Sequence, residues 1–192
     1  QIDFQLQPAA AGEPAISGVE TQALEQIVTR GSEAWNSGDY SKAFALLLPA
    51  ALKGHPVAQH RVGVMYVMGQ GVPEDLAEAT RWFHKAAEQG QGESQFSMGL
   101  RCQQGQSVAQ DSKEAARWSK LAAEQGIGAA AAALAKQCAT GEGVSQDLIE
   151  ACKWAAVAAS LPDPNSGDVT LKDLAGKLTP DQLAEGKRRA RE

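Results

Sequence analysis

The chain repeats itself every 36 residues. Gly69-Gln-Gly-Val-Pro-Glu-Asp75 returns as Gly105-Gln-Ser-Val-Ala-Gln-Asp111 and again as Gly141-Glu-Gly-Val-Ser-Gln-Asp147. The residues after each copy keep step: Ala79, Ala115 and Ala151 share the spacing, as do Trp82, Trp118 and Trp154. The pentad Ala86-Ala-Glu-Gln-Gly90 recurs letter for letter at Ala122–Gly126. A fixed period of this length signals stacked supersecondary units, none of which buries its apolar face alone.

Each unit reads helix–loop–helix. The first helices are expected at about 57–68, 93–104 and 129–140. The Gly-containing loop lets the chain reverse, because glycine tolerates the left-handed conformations that end helices. The second helices start at Asp75, Asp111 and Asp147, each with Glu three residues on (Glu78, Glu114, Glu150). Asp at the N-cap satisfies free amides, and Glu in the first turn opposes the helix dipole. Gly90 and Gly126 close the second helices, and Pro162 takes that place in the last unit.

Ahead of these units the pattern is weaker. Residues 1–16, with Pro8, Gly12 and Pro14, read as an extended lead-in. Ser17 and Glu20 have capping-box spacing, and Leu24, Ile27, Val28 and Ala34 come next at helical spacing. A second helix is expected from about Asp39 to Lys53, with Ala43, Leu46, Leu47 and Ala50 on one face and Pro49 kinking or shortening it. This is a first, shortened unit. After Pro162 the period is lost. Leu171, Leu174 and Leu178 suit a short helix. Thr179-Pro-Asp-Gln182 starts another, with Pro at its first position and Lys187, Arg188, Arg189 and Arg191 expected in its last turn. The organisation is thus a lead-in (1–16), an array (17–162, units about 17–54, 55–90, 91–126 and 127–162) and a helical cap (163–192) that hides the open end of the stack.

The 192 residues include only 5% aromatics, so burial falls largely to Ala, Leu and Val. The net charge of −5 argues against a nucleic-acid partner. No apolar run is long enough to span a membrane. The chain starts at Gln1 without Met, read here as a cleaved secretory leader and hence a periplasmic or secreted location. Cys102, Cys138 and Cys152 are an odd set that cannot pair completely, although Cys138 and Cys152 leave a bridge open.

The run Ala58-x-x-x-Val62-Gly63-x-Met65-Tyr66-x-x-Gly69-x-Gly71-Val72-x-x-Asp75-x-x-x-Ala79-x-x-Trp82-Phe83-x-Lys85-Ala86-Ala87-x-x-Gly90 resembles a Sel1-like repeat, a relative of the tetratricopeptide repeat. The resemblance spans about 55–161, and Leu178–Ala184 is similar to the ending many such proteins carry. Cys102 and Cys138 depart from it in the Tyr66 position, Ser107 replaces the second loop glycine, and Ala135 replaces Gly63. The resemblance implies an all-α, right-handed superhelical solenoid of antiparallel helix pairs whose first helices line a concave face. It also implies binding without catalysis and no cofactor. Members include envelope proteins that organise signalling, polysaccharide export or motility, and periplasmic immunity proteins that neutralise lipase effectors of type VI secretion.

The Gly-x-Gly loops lack the preceding strand and the lysine of a phosphate loop. His55, His60 and His84 lack metal-ligand spacing. The Trp stripe and the cysteines in the Tyr66 position read as core. No acid–base pair or activated nucleophile is recognisable, so an enzyme is disfavoured. The first helices carry more information. One stripe, Ala58, Val62, Met65 and Tyr66, meets the second helix. A second stripe, His60, Val64, Val67 and Met68, faces the concavity. Its equivalents are Phe96, Leu100, Gln103 and Gln104, then Ala132, Lys136, Ala139 and Thr140. The first unit offers Val28, Ser32, Trp35 and Asn36. A groove from Trp35 through Val64, Val67 and Met68 to Phe96 and Leu100, edged by His60, Gln103, Gln104 and Lys136, is the candidate partner-binding face. The alternative is that neighbouring helices or the lead-in bury these side chains. The expected partner is a protein, in one form a toxic effector enzyme and in another an envelope complex. The chain itself is expected to be a monomer or weak oligomer.

Overall fold

The computed structural model describes residues 18–161 and 168–191, the side chains of 18–21 and 168–171 excepted. The expected capping box at Ser17 and Glu20, the lead-in, Leu171, and the Pro162 turn therefore lie outside the described residues. Ten helices are described: α1 (Gly18–Asn36), α2 (Tyr40–Leu52), α3 (Pro56–Met68), α4 (Leu76–Glu88), α5 (Gly92–Gln104), α6 (Ser112–Glu124), α7 (Gly128–Thr140), α8 (Leu148–Ser160), α9 (Asp168–Ala175) and α10 (Pro180–Arg189). No strand occurs among the described residues. Helices pair as α1 with α2, α3 with α4, α5 with α6 and α7 with α8, and α2–α3, α4–α5 and α6–α7 contacts join successive pairs. This is an all-α solenoid.

The repeated loop builds each pair in the same way. Gly69, Gly105 and Gly141 end α3, α5 and α7 in the left-handed region at φ 62°, 67° and 79°. Six residues later the Asp N-cap takes an extended φ near −147° and its carboxylate accepts two amides, as at Ala77 and Glu78 (both 2.9 Å). The amide of Asp75 also donates to the carbonyl of Tyr66, and those of Asp111 and Asp147 donate to Cys102 and Cys138. Both the loop's start and its end are thus tied to the helix it leaves.

The second loop glycine sets the distance between units. A Cβ on Gly71 would lie 2.4 Å from the carbonyl oxygen of Tyr40, at the start of α2, and one on Gly143 would lie 1.9 Å from that of Ser112, at the start of α6. The loop backbone therefore rests directly on the preceding unit, where no side chain fits. Ser107 holds the equivalent place at φ 60°. It keeps the glycine conformation although it carries a side chain.

Buried glutamines add a second tie. Gln59 Nε2 donates to the carbonyl of Ala51 (3.1 Å), and Gln59 Oε1 accepts from Gln89 Nε2 (2.7 Å). One unit on, Gln95 donates to Ala87 (3.2 Å) and accepts from Gln125 (2.7 Å). A buried amide is tolerated only with its bonds made, so this relay fixes register between units.

Two sequence expectations are corrected at the first pair. Pro49 does not shorten α2, which runs on to Leu52 and matches α3 to α8 at 13 residues. Its ring is on the more open side, while Ala43, Leu47 and Ala50 form the buried face. Nor are the first unit's helices short, since α1 spans 19 residues. The shortening lies in the Ser37–Asp39 turn.

At the far end, Leu174 is buried against α7 and α8, with Leu178 packed alongside. The Thr179 capping box forms as expected, with Gln182 Oε1 accepting from the Thr179 amide (3.0 Å). Gly186 of α10 abuts Cys152 so closely that a Cβ would lie 2.7 Å from its Cβ.

These contacts set the cost of loop substitutions. Gly143→Ala is expected to destabilise by more than about 2 kcal/mol, combining a backbone clash with a disfavoured φ. Ser107→Gly is expected to stabilise by about 1 kcal/mol by relieving the left-handed serine. Urea unfolding monitored by circular dichroism measures both.

Candidate functional site

The first-helix stripe divides in the structure. From α3, Val64, Val67 and Met68 line a groove of about 270 Å³ that faces Ser97, Leu100, Arg101 and Gln104 of α5. Phe83 of α4 lies at its floor and Gln106 of the next loop at its rim. Met68 is 60% exposed and Leu100 37%. Apolar side chains this open in the lining of a groove have an incomplete complement of neighbours. The other two exposed large hydrophobics among the described residues, Leu52 and Val57, lie at the α2–α3 corner, away from the groove.

The remaining expected site residues go elsewhere. Trp35 is pinned to the next unit: its indole Nε1 donates to Gln70 Oε1 (2.9 Å), and the Arg61 guanidinium stands 5.2 Å over its ring. His60 Nδ1 bonds the Ser94 hydroxyl (2.8 Å), and the ring tilts against Phe83. Burial lowers its pKa, so the imidazole is held neutral between two units. Phe96 packs against the α6–α8 core, and Val28 is buried in the first core. Gln103 is half-buried outside the groove, its carbonyl accepting from Gln110 (2.9 Å). Lys136 is exposed on α7 and does not line the groove. The groove thus unites Val64, Val67, Met68, Leu100 and Gln104. It is shorter than a channel reaching from Trp35 to Phe96.

Arg101 is absent from the sequence expectations. It stands 36 residues from Met65 and from Gln137, positions buried in the other units, and is itself only 5% exposed. Its guanidinium lies 5.2 Å from the centre of the Phe83 ring, and Nη1 donates a long bond to Gln106 Oε1 (3.4 Å). No ion pair involves Arg101 among the described residues, and burial lowers its pKa. The sequence does carry a signal for it, since a charged residue in the phase of a core position is out of place. Phe83 and Gln106 are absent too, because helical spacing assigns the second helix and the loop a purely structural part, and Ser97 of α5 stands one position off the expected stripe.

The candidate nucleophiles are poorly suited to that task. Burial pushes the Cys102 and Cys138 thiols up to about 11, assisted by Glu114 and Asp111 for the first and by Glu150 and Asp147 for the second. A reactive cysteine needs the opposite shift. All three cysteines are free and buried. Cys138 belongs to the α7–α8 core, whereas the Cys152 thiol is directed at the Leu183 carbonyl (3.8 Å). His55 caps α3 and contacts Glu25 (3.2 Å), and His84 pairs with Glu88 (3.4 Å). Among the described residues no group of three or more His, Cys, Asp or Glu side chains is placed to hold a metal.

Paired helices on a 36-residue period, joined by glycine loops and presenting a groove on their first helices, define a helical-repeat solenoid. The chain belongs to the Sel1 repeat family, whose model matches residues 37–55, 56–91, 92–127 and 128–163. Proteins of this family are generally protein–protein interaction modules. No curated protein matches the chain significantly. Among solved structures it is similar to a Sel1 repeat protein from Oxalobacter formigenes, with 28% identity, a TM-score of 0.71, and coverage of 81% of this chain and 63% of that one. It also shares its fold with a protective antigen of uropathogenic Escherichia coli, at 24% identity and a TM-score of 0.61, covering 88% of this chain and 46% of the other. The chain therefore spans less than two thirds of the length of either.

The buried guanidinium carries a stability cost. Arg101→Met, which installs the residue found 36 positions earlier, is expected to raise stability by about 1 kcal/mol by removing an unpaired charge from the interior. A higher urea midpoint at unchanged m-value is the measurement that checks it.

Proposed function

We propose that the chain is a non-enzymatic binding protein of the bacterial envelope, and that the groove between α3 and α5 holds a segment of a protein partner. The observation that carries the reading is the pair of exposed apolar side chains, Met68 and Leu100, on facing helices with the buried Arg101 beside them. Adaptable Met with an aliphatic neighbour and Arg is a residue mix suited to a binding surface. The volume agrees: about 270 Å³ is below the range of about 300–1,000 Å³ usual for small-molecule sites. One or two side chains from a partner would fill it.

In its finer form the proposal is a periplasmic immunity protein that neutralises a secreted lipase or phospholipase effector. The family resemblance supports this, and the net charge of −5 favours association with a basic partner. An adaptor for an envelope signalling, polysaccharide-export or motility complex would use the same groove. The activity of the captured partner separates the two.

The test is capture from a native envelope extract by the wild-type chain and by Val64→Arg and Leu100→Arg variants, with helicity measured alongside. A partner held by the wild type and lost from both variants at unchanged helicity is expected. A phospholipase activity in the captured fraction, silenced while bound, would identify immunity. Equal capture by correctly folded variants would overturn the groove assignment.

A further inference from the structure

The groove holds a guanidinium that the protein itself leaves unpaired. Arg101 is only 5% exposed, lines the groove, and has no carboxylate partner among the described residues. None of the residues lining the groove is acidic. Its internal polar contact is the long bond to Gln106. A desolvated cation of this kind is stabilised most by a carboxylate that arrives with its own bidentate geometry and with apolar neighbours that keep water out. Leu100 and Met68 supply the apolar half of that complement.

The geometry points to a partner protein whose bound segment carries an Asp or Glu side chain within a few positions of a large apolar side chain, the carboxylate pairing with Arg101 and the apolar group seated between Met68 and Leu100. This rests on the proposal that the groove binds a protein. The chain's net charge of −5 repels a strongly acidic protein at a distance. The carboxylate is therefore a local feature of a partner that is neutral or basic as a whole. Arg101 supplies specificity, since a segment lacking the acid leaves the guanidinium buried and unpaired in the complex.

A phage-displayed random dodecapeptide library panned against the full chain, and in parallel against Arg101→Met and Leu100→Arg, tests this. Peptides retained by the wild type are expected to carry Asp or Glu near an aromatic or long aliphatic residue, an association absent from those retained by Arg101→Met. In the best peptide, made synthetically, Glu→Gln or Asp→Asn is expected to weaken binding to the wild type about tenfold or more, and to leave binding to Arg101→Met unchanged. Peptides lost from Leu100→Arg but selected without acidic preference would overturn the carboxylate and leave the groove intact. Peptides held equally by Leu100→Arg, or no peptide retained at all, would overturn both. The chain's own Ile2-Asp3-Phe4 has the same chemistry. Peptide capture that rises in full-length Asp3→Asn would assign the groove to this segment and overturn the external partner.

Discussion

The array depends on one kind of backbone contact, the second loop glycine laid on the start of the preceding unit's second helix. Gly71 on Tyr40 and Gly143 on Ser112 leave no space for a side chain, so the loop cannot retreat without opening the stack. The left-handed glycine before it and the Asp N-cap after it fix the loop's two ends. The path between them has little freedom. Interiors pack densely and repeat stability is largely a nearest-neighbour property, so this contact sets how each first helix meets the next. The groove is the space between α3 and α5.

The relay of buried glutamines shows the same logic in polar form. It runs from Ala51 through Gln59 to Gln89, and from Ala87 through Gln95 to Gln125. It has no third copy, because Ala131 and Leu161 stand where amides would be needed. There the fold changes from a repeating stack to a cap, and α10 is held by the close approach of Gly186 to Cys152. Two departures from the repeat's own rules fall together in the unit that carries α5. Ser107 adopts a glycine conformation, and Arg101 occupies a core position six residues earlier; Gln106, which bonds Arg101, adjoins the serine. Natural chains break local rules mostly where something other than stability is being served. The groove is built from that unit and the last turn of α3.

Much of the fold is legible in the sequence because the repeat displays its own alignment. The spacing of Gly69, Gly105 and Gly141 locates the reversals, and Asp75, Asp111 and Asp147 mark the helix starts. The groove is half legible. Helical spacing places Val64, Val67, Met68, Leu100 and Gln104 on one stripe, and the structure brings them together. Spacing along one helix does not show how far the next unit covers it, which is why it also assigns Trp35, His60 and Phe96 to the groove. Trp35 is consumed by Gln70 and Arg61, His60 by Ser94, and Phe96 by the core beyond it. Arg101 escapes a search that tracks apolar residues. A chain in which Met65, Arg101 and Gln137 share a phase nonetheless marks a charge in a core position.

The proposed function rests on what the first helices leave uncovered. Its cysteines are buried and its histidines engaged in a cap, ion pairs and an inter-unit contact, whereas Met68 and Leu100 remain open. The most direct measurement is a methyl-resolved NMR titration of the labelled chain with a purified protein partner captured by the wild type. The expected result is shifts confined to Met68, Leu100, Val64 and Val67, with the corner residues Leu52 and Val57 and the Gly69–Asp75 loop unchanged. Shifts centred on Leu52 and Val57 or on the loop, with the groove methyls silent, would contradict it.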